Sequence, residues 1–586
     1  MELAEYTINN QKDYILEELY KRKPDVLCFS CYIWNIDYVT DIAREYKKLC
    51  PSVPIWVGGP EVSYEVEAFL RENPYIDGVM IGEGEDTFRE LCGYYAHKRK
   101  LSDIAGIAFR KNSTGNSTSV NNIGGNKAGE IVFTSPRPIK NMSEIPFCYD
   151  TLDDFSNRII YYESSRGCPF SCSYCLSSVD KTLRFRDTRI VKRELKFFID
   201  QKVPQIKFVD RTFNCNHAHA MELWRFIKAN DNGVTNFHFE ISADLLNQEE
   251  LELISDMRPG LIQLEIGVQS TNEVTIKEIH RTMKLERLKD VVRLIQSGNN
   301  IHEHLDLIAG LPYEDYDSFG RSFDEIYELK PNQLQLGFLK VLKGSYMFEH
   351  AAEYGIVYHD KPPYEVMSTK WLSFDDVIKI KRVEDMLEVY YNSGQFEITM
   401  KLMECIFDSA FEFFQELGDF YEANGYFGMS HSRIRRCEIL LEFLALYLHG
   451  CDNDAMTSVV LSENAGDRDN TDFDENAIDR DNTDSDENAQ IYSMIQESLI
   501  FDLYYRENCK SRPVWATDIG SFKHMTHAYC KNGKLSHVEP FHYIFPDKHT
   551  RKLDELPKYH KEPVWALFHY DMRDPLDHQA LVEYIK

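Results

Sequence analysis

Three cysteines within eight residues are the strongest chemical signal in the sequence. They stand at Cys168, Cys172 and Cys175, with the spacing C-x3-C-x2-C. Thiolates this close in sequence can converge on one soft metal centre from a single loop. A closed tetrahedral zinc site needs four ligands, and no other Cys or His lies between Cys148 and Cys215. The spacing therefore predicts a metal centre with an open coordination position, as catalysis requires.

The cysteines follow a predicted strand at residues 159–163, the first of six βα units. Each further strand is a short apolar run, and helical patterns with one apolar face lie between the runs. Six such units within residues 156–345 predict a (β/α)6 partial barrel of the TIM type, with its chemistry at the carboxyl ends of the strands. The further strands are predicted at 205–209, 236–241, 261–268, 304–308 and 333–339.

The segment RGCPFSCSYC, residues 166–175, resembles the signature of radical S-adenosylmethionine (SAM) enzymes. The resemblance implies that Cys168, Cys172 and Cys175 bind three irons of a [4Fe-4S] cluster, while SAM binds the fourth iron. Reduction of SAM would release a 5′-deoxyadenosyl radical, which takes hydrogen from a small or medium-sized organic substrate. An external electron donor of the flavodoxin or ferredoxin type is the implied partner.

The same resemblance places contacts to SAM at the ends of several strands. Residues 264–270 are similar to the fifth-strand pattern of the family, and residues 306–312 resemble its sixth-strand pattern on the adenine side. A single acid at a strand end also often caps the next helix, so the order of these segments carries more weight than any one of them. The expected SAM contacts are Tyr174, Asp210, Glu240, Ser242, Glu265 and Asp306.

Residues 1–97 predict an N-terminal doubly wound, Rossmann-like domain with strands at 26–30, 54–57 and 76–81. The segment starts abruptly and leaves little room for an earlier strand. Its glycine-rich segments GGPEVSYE and GEGEDTF follow the second and third strands, where such sheets bind ligands. These segments resemble the cobalamin-binding domain of B12-dependent radical SAM enzymes, whose relatives include an anaerobic cyclase of chlorophyll synthesis and several methyltransferases.

Whether this domain holds cobalamin stays open at this point, because no histidine precedes His97 and the domain cannot donate one to cobalt. In one interpretation, cobalamin binds without a protein nitrogen below the metal. In the other, the domain binds nothing, since glycines at strand ends also form bare turns. The first interpretation predicts a pocket lined by Ser30, Tyr32, Gly58, Gly59, Gly84 and Glu85.

Outside these two regions the sequence is less specific. Residues 98–155 predict a hairpin with a long polar tip at 111–129, followed by a linker. Residues 370–586 predict a mainly helical domain that ends in a small sheet with strands at 541–545 and 564–570. A 12-residue tandem repeat, ENAGDRDNTDFD followed by ENAIDRDNTDSD, lies within 452–490 and predicts a disordered acidic insert. Its Asp spacing does not meet the EF-hand pattern for calcium.

Composition narrows the partners and the compartment. The 586 residues carry a formal net charge of −29 at pH 7, which disfavours nucleic acid and anionic membranes. No run approaches the roughly 18 apolar residues of a membrane span, and the N-terminus lacks a signal pattern. Scattered single cysteines are typical of a reducing compartment. Together these features predict a cytoplasmic protein without a membrane span.

The sequence thus predicts a radical SAM enzyme, with cobalamin-dependent methyl transfer or ring formation as candidate reactions. A first alternative is a non-catalytic scaffold for zinc or an electron-transfer iron–sulfur cluster, with Cys148 or Cys215 as the fourth ligand. A second is a tRNA-modifying enzyme of the methylthiotransferase type, which the pair Cys28 and Cys31 suggests. Two cysteines in a buried strand are equally typical of plain packing, and the negative charge argues against tRNA.

Overall fold

The computed structural model of the chain shows three regions, an N-terminal α/β domain, a central half-barrel and a mainly helical C-terminal region. Across the described residues, every helix is too short or too polar to span a bilayer. The structure describes residues 1–111, 130–149, 151–152, 155, 158–179, 181–449, 482–530, 535–546, 550, 552–553 and 555–585.

The N-terminal sheet has five strands in sequential order, the first three parallel and the last two antiparallel. The hairpin expected as a separate unit in 98–155 therefore extends this sheet, and residues 112–129 of its predicted tip lie outside the described residues. The strands are Leu27–Ser30 (β1), Ile55–Gly58 (β2), Gly78–Met80 (β3), Ile107–Lys111 (β4) and Glu130–Phe133 (β5).

Four helices flank this sheet. The predicted apolar face of the second helix is confirmed, since Val39, Ile42, Ala43 and Tyr46 are all buried against the strands. The alternation of parallel strands and helices directs the loops after the first three strands to one edge of the sheet. The helices are Lys12–Arg22 (α1), Ile36–Leu49 (α2), Val66–Glu72 (α3) and Gly84–Tyr95 (α4).

The central region has a six-stranded parallel sheet whose strands follow chain order, β6-β9-β10-β11-β12-β13. This confirms the six predicted strands and the partial barrel. A short antiparallel pair, β7 and β8, lies beside it. The strands are Ile160–Tyr162 (β6), Ser165–Arg166 (β7), Arg184–Phe185 (β8), Gln205–Phe208 (β9), Asn236–Ile241 (β10), Ile262–Gln269 (β11), His302–Ala309 (β12) and Gln333–Phe338 (β13).

The ordinal positions taken from the family resemblance were wrong by one. β11 is the fourth strand of the barrel and β12 is the fifth, not the fifth and the sixth. Seven helices accompany the strands, and most of them follow a strand and cover the outer face of the sheet. The helices are Thr188–Asp200 (α5), His217–Ala229 (α6), Gln248–Ser255 (α7), Glu273–Glu278 (α8), Leu285–Ser297 (α9), Tyr316–Tyr327 (α10) and Tyr346–Glu349 (α11).

Strand periodicity gives the half-barrel two different faces. Along β11, Leu264 and Ile266 are fully buried while Gln263 and Glu265 are partly exposed. Successive side chains of a strand point to opposite faces, so the apolar residues pack under the helices and the polar residues line the inner face. We call this inner face the lumen.

The C-terminal region is mainly helical, as expected, and a π-helical turn, Glu388–Asn392, extends its first helix. Residues 452–481 of the predicted insert lie outside the described residues, but residues 482–490 belong to a helix, which corrects the end of that insert. The helices are Phe374–Leu387 (α12), Glu397–Met403 (α13), Ala410–Ala423 (α14), Arg433–His449 (α15), Asn482–Arg506 (α16) and Lys523–Tyr529 (α17).

The terminal sheet differs from the prediction. It has three antiparallel strands instead of two, and the first one ends at Phe541, where the sequence predicted it to begin. A small antiparallel pair precedes the helical region. These strands are Val357–Tyr358 (β14), Val366–Ser368 (β15), Ser536–Phe541 (β16), Val564–Arg573 (β17) and Ala580–Ile585 (β18).

The C-terminal region covers the open edge of the half-barrel at β13. The Asn392 side chain donates to the Leu334 carbonyl at 2.8 Å and accepts from the Leu334 amide at 3.0 Å. Further along, the Val366 amide donates to the Leu339 carbonyl at 2.9 Å. Backbone groups that an edge strand would leave unpaired are thus bonded within the chain. One continuous apolar core also runs from the barrel into the C-terminal region.

Candidate active site

The three cysteines lie on a closed loop that follows the first barrel strand. β7 and β8 pair Arg166 with Arg184, so residues 167–183 leave and return at one point. Gly167 has φ of +91°, and a Cβ there would lie 2.5 Å from the Thr182 carbonyl oxygen. Only glycine tolerates this backbone and this approach. We call the β7–β8 pairing together with Gly167 the loop neck. It fixes where the cysteine loop leaves the barrel.

The surroundings of the cysteines differ, since burial raises the pKa of the Cys168 thiol while a guanidinium lies beside Cys172. Cys168 and Cys172 are buried and Cys175 is partly exposed. The Arg281 Nη1 lies 3.8 Å from the Cys172 Sγ, and the Thr212 Oγ1 lies 3.9 Å from the Cys168 Sγ. Arg281 donates to the Cys172 sulfur and favours its anionic form, whereas the Thr212 hydroxyl donates to the Arg211 carbonyl at 2.8 Å.

Within the described ranges, no three His, Cys, Asp or Glu side chains are gathered as ligands of a single metal ion. An iron–sulfur cluster makes a different demand, because its cysteines bind different irons and their sulfurs stay apart. Three thiols on one loop, with a guanidinium beside one of them, fit such a cluster.

The two cysteines that a closed metal site would need do not complete one here. Cys148 is exposed. Burial raises the pKa of the Cys215 thiol to about 11, and the neighbouring Cys168 thiol adds to the rise. Neither joins a set of ligands for a single metal ion among the described residues, so the geometry gives a closed zinc site no support, while Cys215 stays near enough to Cys168 to be tested as a cluster ligand.

Asp210 anchors the segment before the cysteines instead of facing the lumen. Its carboxylate accepts hydrogen bonds from the Ser164 amide at 2.9 Å, the Ser164 hydroxyl at 2.6 Å and the Ser165 hydroxyl at 2.6 Å. The side chain is fully buried, and burial raises its pKa to about 6. The structure thus places Asp210 against the strand end that carries the cysteine loop, and its contact with SAM stays a prediction.

Glu265 is one of two predicted lumen acids that already have partners. Its carboxylate lies 2.9 Å from the Lys207 Nζ and 2.9 Å from the His238 Nε2. Burial alone would raise its pKa, but these contacts with His238 and Lys207 lower it to about 2. Glu265 is thus the ionised centre of a buried cluster that spans β9, β10 and β11.

Asp306, on the next strand, lies 2.9 Å from the His304 Nε2. Burial raises the pKa of Asp306, and the contact with His304 opposes that rise. This pair places an ionisable group one strand further along the same polar face.

Glu240 stands out among the predicted SAM contacts, since it forms no hydrogen bond or ion pair with the described residues. Burial, with Glu265 nearby, raises the pKa of Glu240 to about 7. Ser242 is engaged locally, because its hydroxyl donates to the Asp244 carboxylate at 2.8 Å. Glu240 is therefore the lumen carboxylate best placed to accept hydrogen bonds from a bound molecule.

Tyr174 is held beside the cysteines by a residue that the sequence analysis missed. The Arg281 Nη1 donates to the Tyr174 hydroxyl at 3.2 Å, and its Nη2 donates to the Gly267 carbonyl. Arg281 thus joins the cysteine loop to the fourth barrel strand. It follows α8 in a stretch without a recognisable motif, so only the fold reveals its position.

In the N-terminal domain, the loops after the first three strands are tied together. The Cys31 amide donates to the Gly58 carbonyl at 2.7 Å. The Ser63 hydroxyl donates to the Gly59 carbonyl at 2.9 Å and accepts from the Gly82 amide at 3.1 Å. These bonds hold the three loops, two of which carry glycines, at one edge of the sheet, where a ligand site is predicted.

This edge carries an exposed aromatic surface. Tyr32 and Trp34 stack with ring centroids 4.5 Å apart, and Trp34 is 62% exposed. Ser30 is also exposed, and a Cβ at Gly82 or Gly84 would meet nothing within 4 Å. A flat aromatic surface beside open glycine loops fits a large planar ligand such as a corrin ring. Trp34 was not among the predicted pocket residues.

Glu85, one of the predicted cobalamin-pocket residues, contacts the barrel. Its carboxylate lies 2.9 Å from the Arg166 Nη2, next to the cysteine loop. The N-terminal domain and the cysteine loop therefore meet directly at this residue.

The Cys28 and Cys31 thiols have the character of packed side chains. Cys31 is buried and Cys28 is partly buried. Burial raises both pKa values to about 12, as for thiols packed in an apolar interior. The tRNA alternative that rested on this pair finds no support here.

Gly59→Ala is expected to lower the melting temperature by several degrees. Gly59 has φ of +113°, and a Cβ there would lie 2.4 Å from the Cys31 carbonyl oxygen, a backbone atom that cannot move freely. Strain of this kind costs about 1–3 kcal/mol. Gly84→Ala, at the open first turn of α4, is the matched control and should leave the melting temperature unchanged. Equal melting temperatures for both variants would contradict this account of the loop.

Three protein-family models match the chain. The B12 binding domain matches residues 2–92, and the Radical SAM superfamily matches residues 162–326. A family described as a protein of unknown function (DUF4080) matches residues 352–579. The first two matches confirm the predicted order of an N-terminal B12-binding domain and a radical SAM barrel.

Curated relatives of the chain include methyltransferases. The chain is 24% identical to an uncharacterized methyltransferase of Pyrococcus horikoshii, over 62% of this chain and 75% of the relative. It is 29% identical to the cobalamin-dependent radical SAM methyltransferase TokK of Streptomyces tokunonensis, over 52% of this chain and 45% of the relative. The chain thus spans three quarters of the first relative and less than half of the second.

Solved structures share the fold. The cobalamin-dependent SAM radical enzyme OxsB in its apo form matches 85% of this chain and 74% of its own, with a TM-score of 0.51 and 15% identity. The same enzyme with aqua-cobalamin bound matches with a TM-score of 0.50 and 16% identity, over 85% of this chain and 75% of its own. The likeness supports the arrangement of domains seen here.

Proposed function

We propose that this radical SAM enzyme, which has an N-terminal B12-binding domain and a C-terminal DUF4080 region, methylates an organic substrate with SAM and cobalamin. The observation that carries the proposal is the closed loop with Cys168, Cys172 and Cys175, which meets the glycine loops of the N-terminal domain through Arg166 and Glu85. A cluster on that loop and a corrinoid on those glycines would face the same space. The named methyltransferase relatives favour methyl transfer over the other candidate reactions.

The cysteines would hold a [4Fe-4S] cluster and leave one iron open for the amino and carboxylate groups of SAM. Glu240 supports the binding of SAM as an acceptor without a partner of its own, and its position before the end of β10 suits the ribose hydroxyls. Tyr174 would pack near the adenine, held in place by Arg281. Glu265 keeps the floor of the lumen ionised, and Asp306 with His304 keeps it polar.

Cobalamin would bind to the N-terminal domain without a nitrogen ligand from it. The chain has no histidine before His97, but the exposed stack of Tyr32 and Trp34 offers a flat apolar surface instead. The open sides of Gly82 and Gly84 leave room for the edge of a corrin ring. The interpretation in which this domain binds nothing does not explain an exposed aromatic stack beside open glycines.

The overall reaction replaces a C–H hydrogen of the substrate by a methyl group. One SAM gives the methyl group and leaves as S-adenosylhomocysteine, and a second SAM is cleaved to methionine and 5′-deoxyadenosine, which carries away the hydrogen. Two electrons from an external donor of the flavodoxin or ferredoxin type complete the balance. When bound, the cluster supplies the electron for cleavage and cobalamin carries the methyl group.

Anaerobic reconstitution of the full chain with iron, sulfide and hydroxocobalamin tests the proposal. We expect about four irons per chain, a visible corrinoid spectrum that survives desalting, and 5′-deoxyadenosine when SAM and dithionite are added. A colourless protein that binds zinc would overturn the enzyme assignment. A brown protein that makes 5′-deoxyadenosine but retains no corrinoid would keep the radical chemistry and remove the methyl-transfer part.

A further inference from the structure

Two arginines frame the cysteine loop and reach the same glutamate of the B12-binding domain. Arg166 stands before the loop and Arg184 after it, and the two face each other in the pairing of β7 with β8. The Glu83 Oε1 lies 3.1 Å from the Arg166 Nη1 and 2.7 Å from the Arg184 Nη1. We call these two arginines, together with Glu83 and Glu85, the arginine bridge.

The arginine bridge is well bonded on its barrel side. Arg166 donates from Nε and Nη2 to the Glu163 carboxylate at 2.9 and 2.7 Å, and from Nη2 to the Glu85 Oε1 at 2.9 Å. The bridge side chains and Glu163 are only 13–30% exposed. Ion pairs at this depth are screened much less by salt than surface pairs are. The bridge therefore resists separation of the two domains.

The linker between the domains adds two more bonds. The Glu83 Oε2 accepts from the Lys140 amide at 3.1 Å, and the Arg184 Nη1 donates to the Lys140 carbonyl at 3.0 Å. Burial raises the pKa of Glu83, but the bonds from Lys140, Arg184 and Arg166 outweigh it and lower the pKa. Glu83 is thus ionised and fixed from three directions.

The glutamates of the bridge flank the glycine loop predicted to touch cobalamin. Glu83 and Glu85 stand on either side of Gly84, at the start of α4. The glutamates point to the barrel, while the Cβ direction at Gly84 is open. One short segment therefore contacts the cysteine loop with its carboxylates and presents open backbone to a ligand.

We propose that the arginine bridge couples the two cofactor sites, so that a cluster on the cysteine loop tightens cobalamin binding to the N-terminal domain and cobalamin stabilises the cluster. This inference rests on the proposed function and adds a regulatory link to it. Arg166 and Arg184 act as positioning residues, because they lie outside the cysteine loop and hold it against the N-terminal domain through Glu83 and Glu85. A coupling between two sites is reciprocal by thermodynamic necessity.

The measurement is the dissociation constant of hydroxocobalamin, obtained by absorbance titration of the full chain with and without its reconstituted cluster. For the wild-type protein we expect the cluster to tighten binding about fivefold or more, the lower end of ordinary coupling energies. In the double variant Arg166→Gln, Arg184→Gln this ratio should fall to about one. Glu85→Gln, which loses only one contact, should give an intermediate ratio.

Arg71→Gln is the matched control, because Arg71 forms an exposed ion pair with Glu67 elsewhere in the same domain. It should keep the wild-type ratio. A purely structural loss would weaken cobalamin binding with and without the cluster alike, which leaves the ratio unchanged. If the double variant does not fold, the ratio for Glu85→Gln decides the question.

Failure of the inference and failure of the proposed function give different results. If the wild-type protein binds both cofactors and the bridge variants keep its ratio, the inference is overturned and the function stands. If the cluster does not change the hydroxocobalamin affinity of the wild-type protein, the inference is likewise overturned and the proposed function stands. If the wild-type protein retains iron but binds no hydroxocobalamin, the cobalamin function and the inference fall together.

Discussion

Alanine in place of Cys168, Cys172 or Cys175 is expected to reduce cluster-bound iron and 5′-deoxyadenosine formation to background. Each of the three thiolates would bind a separate iron, and the structure offers no substitute ligand set among the described residues. The loop neck at Gly167 holds the remaining cysteines in place, so the variants should fold and lose only the cluster. Iron and sulfide analysis, the visible spectrum and product formation after anaerobic reconstitution provide the measurements.

Cys148→Ser and Cys215→Ser are the matched controls for that result. Cys215 is the stricter of the two, because its thiol lies near Cys168. Both variants should retain their iron and form 5′-deoxyadenosine. Loss of metal in Cys215→Ser to the same extent as in Cys168→Ala would indicate four protein ligands, and the open iron on which SAM chemistry depends would be ruled out.

Asp210→Ala is expected to produce the largest effect on stability among single changes near the site. It removes a buried carboxylate that accepts from Ser164 twice and from Ser165 once. The Ser164 hydroxyl keeps a contact with the His219 Nε2 at 3.0 Å, so two buried donors lose their acceptor, and at about 1–3 kcal/mol each the total is about 2 kcal/mol or more. Because the bonded serines lead directly into the cysteine loop, iron incorporation should fall together with the melting temperature.

Thermal unfolding of the cluster-free protein and iron content after reconstitution measure the two effects. At about 2–4 °C per kcal/mol for a domain of this size, the melting temperature should drop by about 4 °C or more. Asp210→Asn retains one carbonyl acceptor and should give a smaller loss. Asp256→Ala, at an exposed ion pair with Lys228, should behave as wild type, and an equal drop there would refute the specific role of Asp210.

The sequence was sufficient to predict the barrel because its strands bury one or both faces. Runs such as IQLEIGVQ, with apolar residues at alternate positions, occur only where a strand packs under helices. The cysteine loop was equally visible, since its spacing is local. The barrel strands and the cysteine loop are each specified by one short segment of sequence, and for both the prediction agrees with the structure.

The roles of the lumen acids could not be read in the same way. Glu240 and Glu265 stand on neighbouring strands and face each other in register. Which of them has a partner depends on Lys207 and His238, on β9 and β10, whose pairing is set by the register of the sheet. Such contacts between distant segments leave no mark in the spacing of residues along the chain.

The terminal sheet was misplaced for a related reason. Pro540 within β16 lowers the strand signal of SHVEPF, because proline is tolerated only at sheet edges. β16 is in fact an edge strand that pairs only with β17. At the acidic repeat, the polar composition predicted disorder up to residue 490. The helix α16 in fact begins at Asn482. In both cases the tertiary environment overrode the local composition.

The bond between Asn392 and Leu334 has a consequence for how the protein is made. During synthesis the six barrel strands leave the ribosome well before residue 392 does, at about 5–20 residues per second. For several seconds the backbone groups along the edge of β13 stay unpaired on the nascent barrel. A strand of a neighbouring nascent chain could pair with them. The fraction of new protein that reaches its native state would then depend on how fast the C-terminal region emerges. A chaperone that shields the β13 edge would raise that fraction.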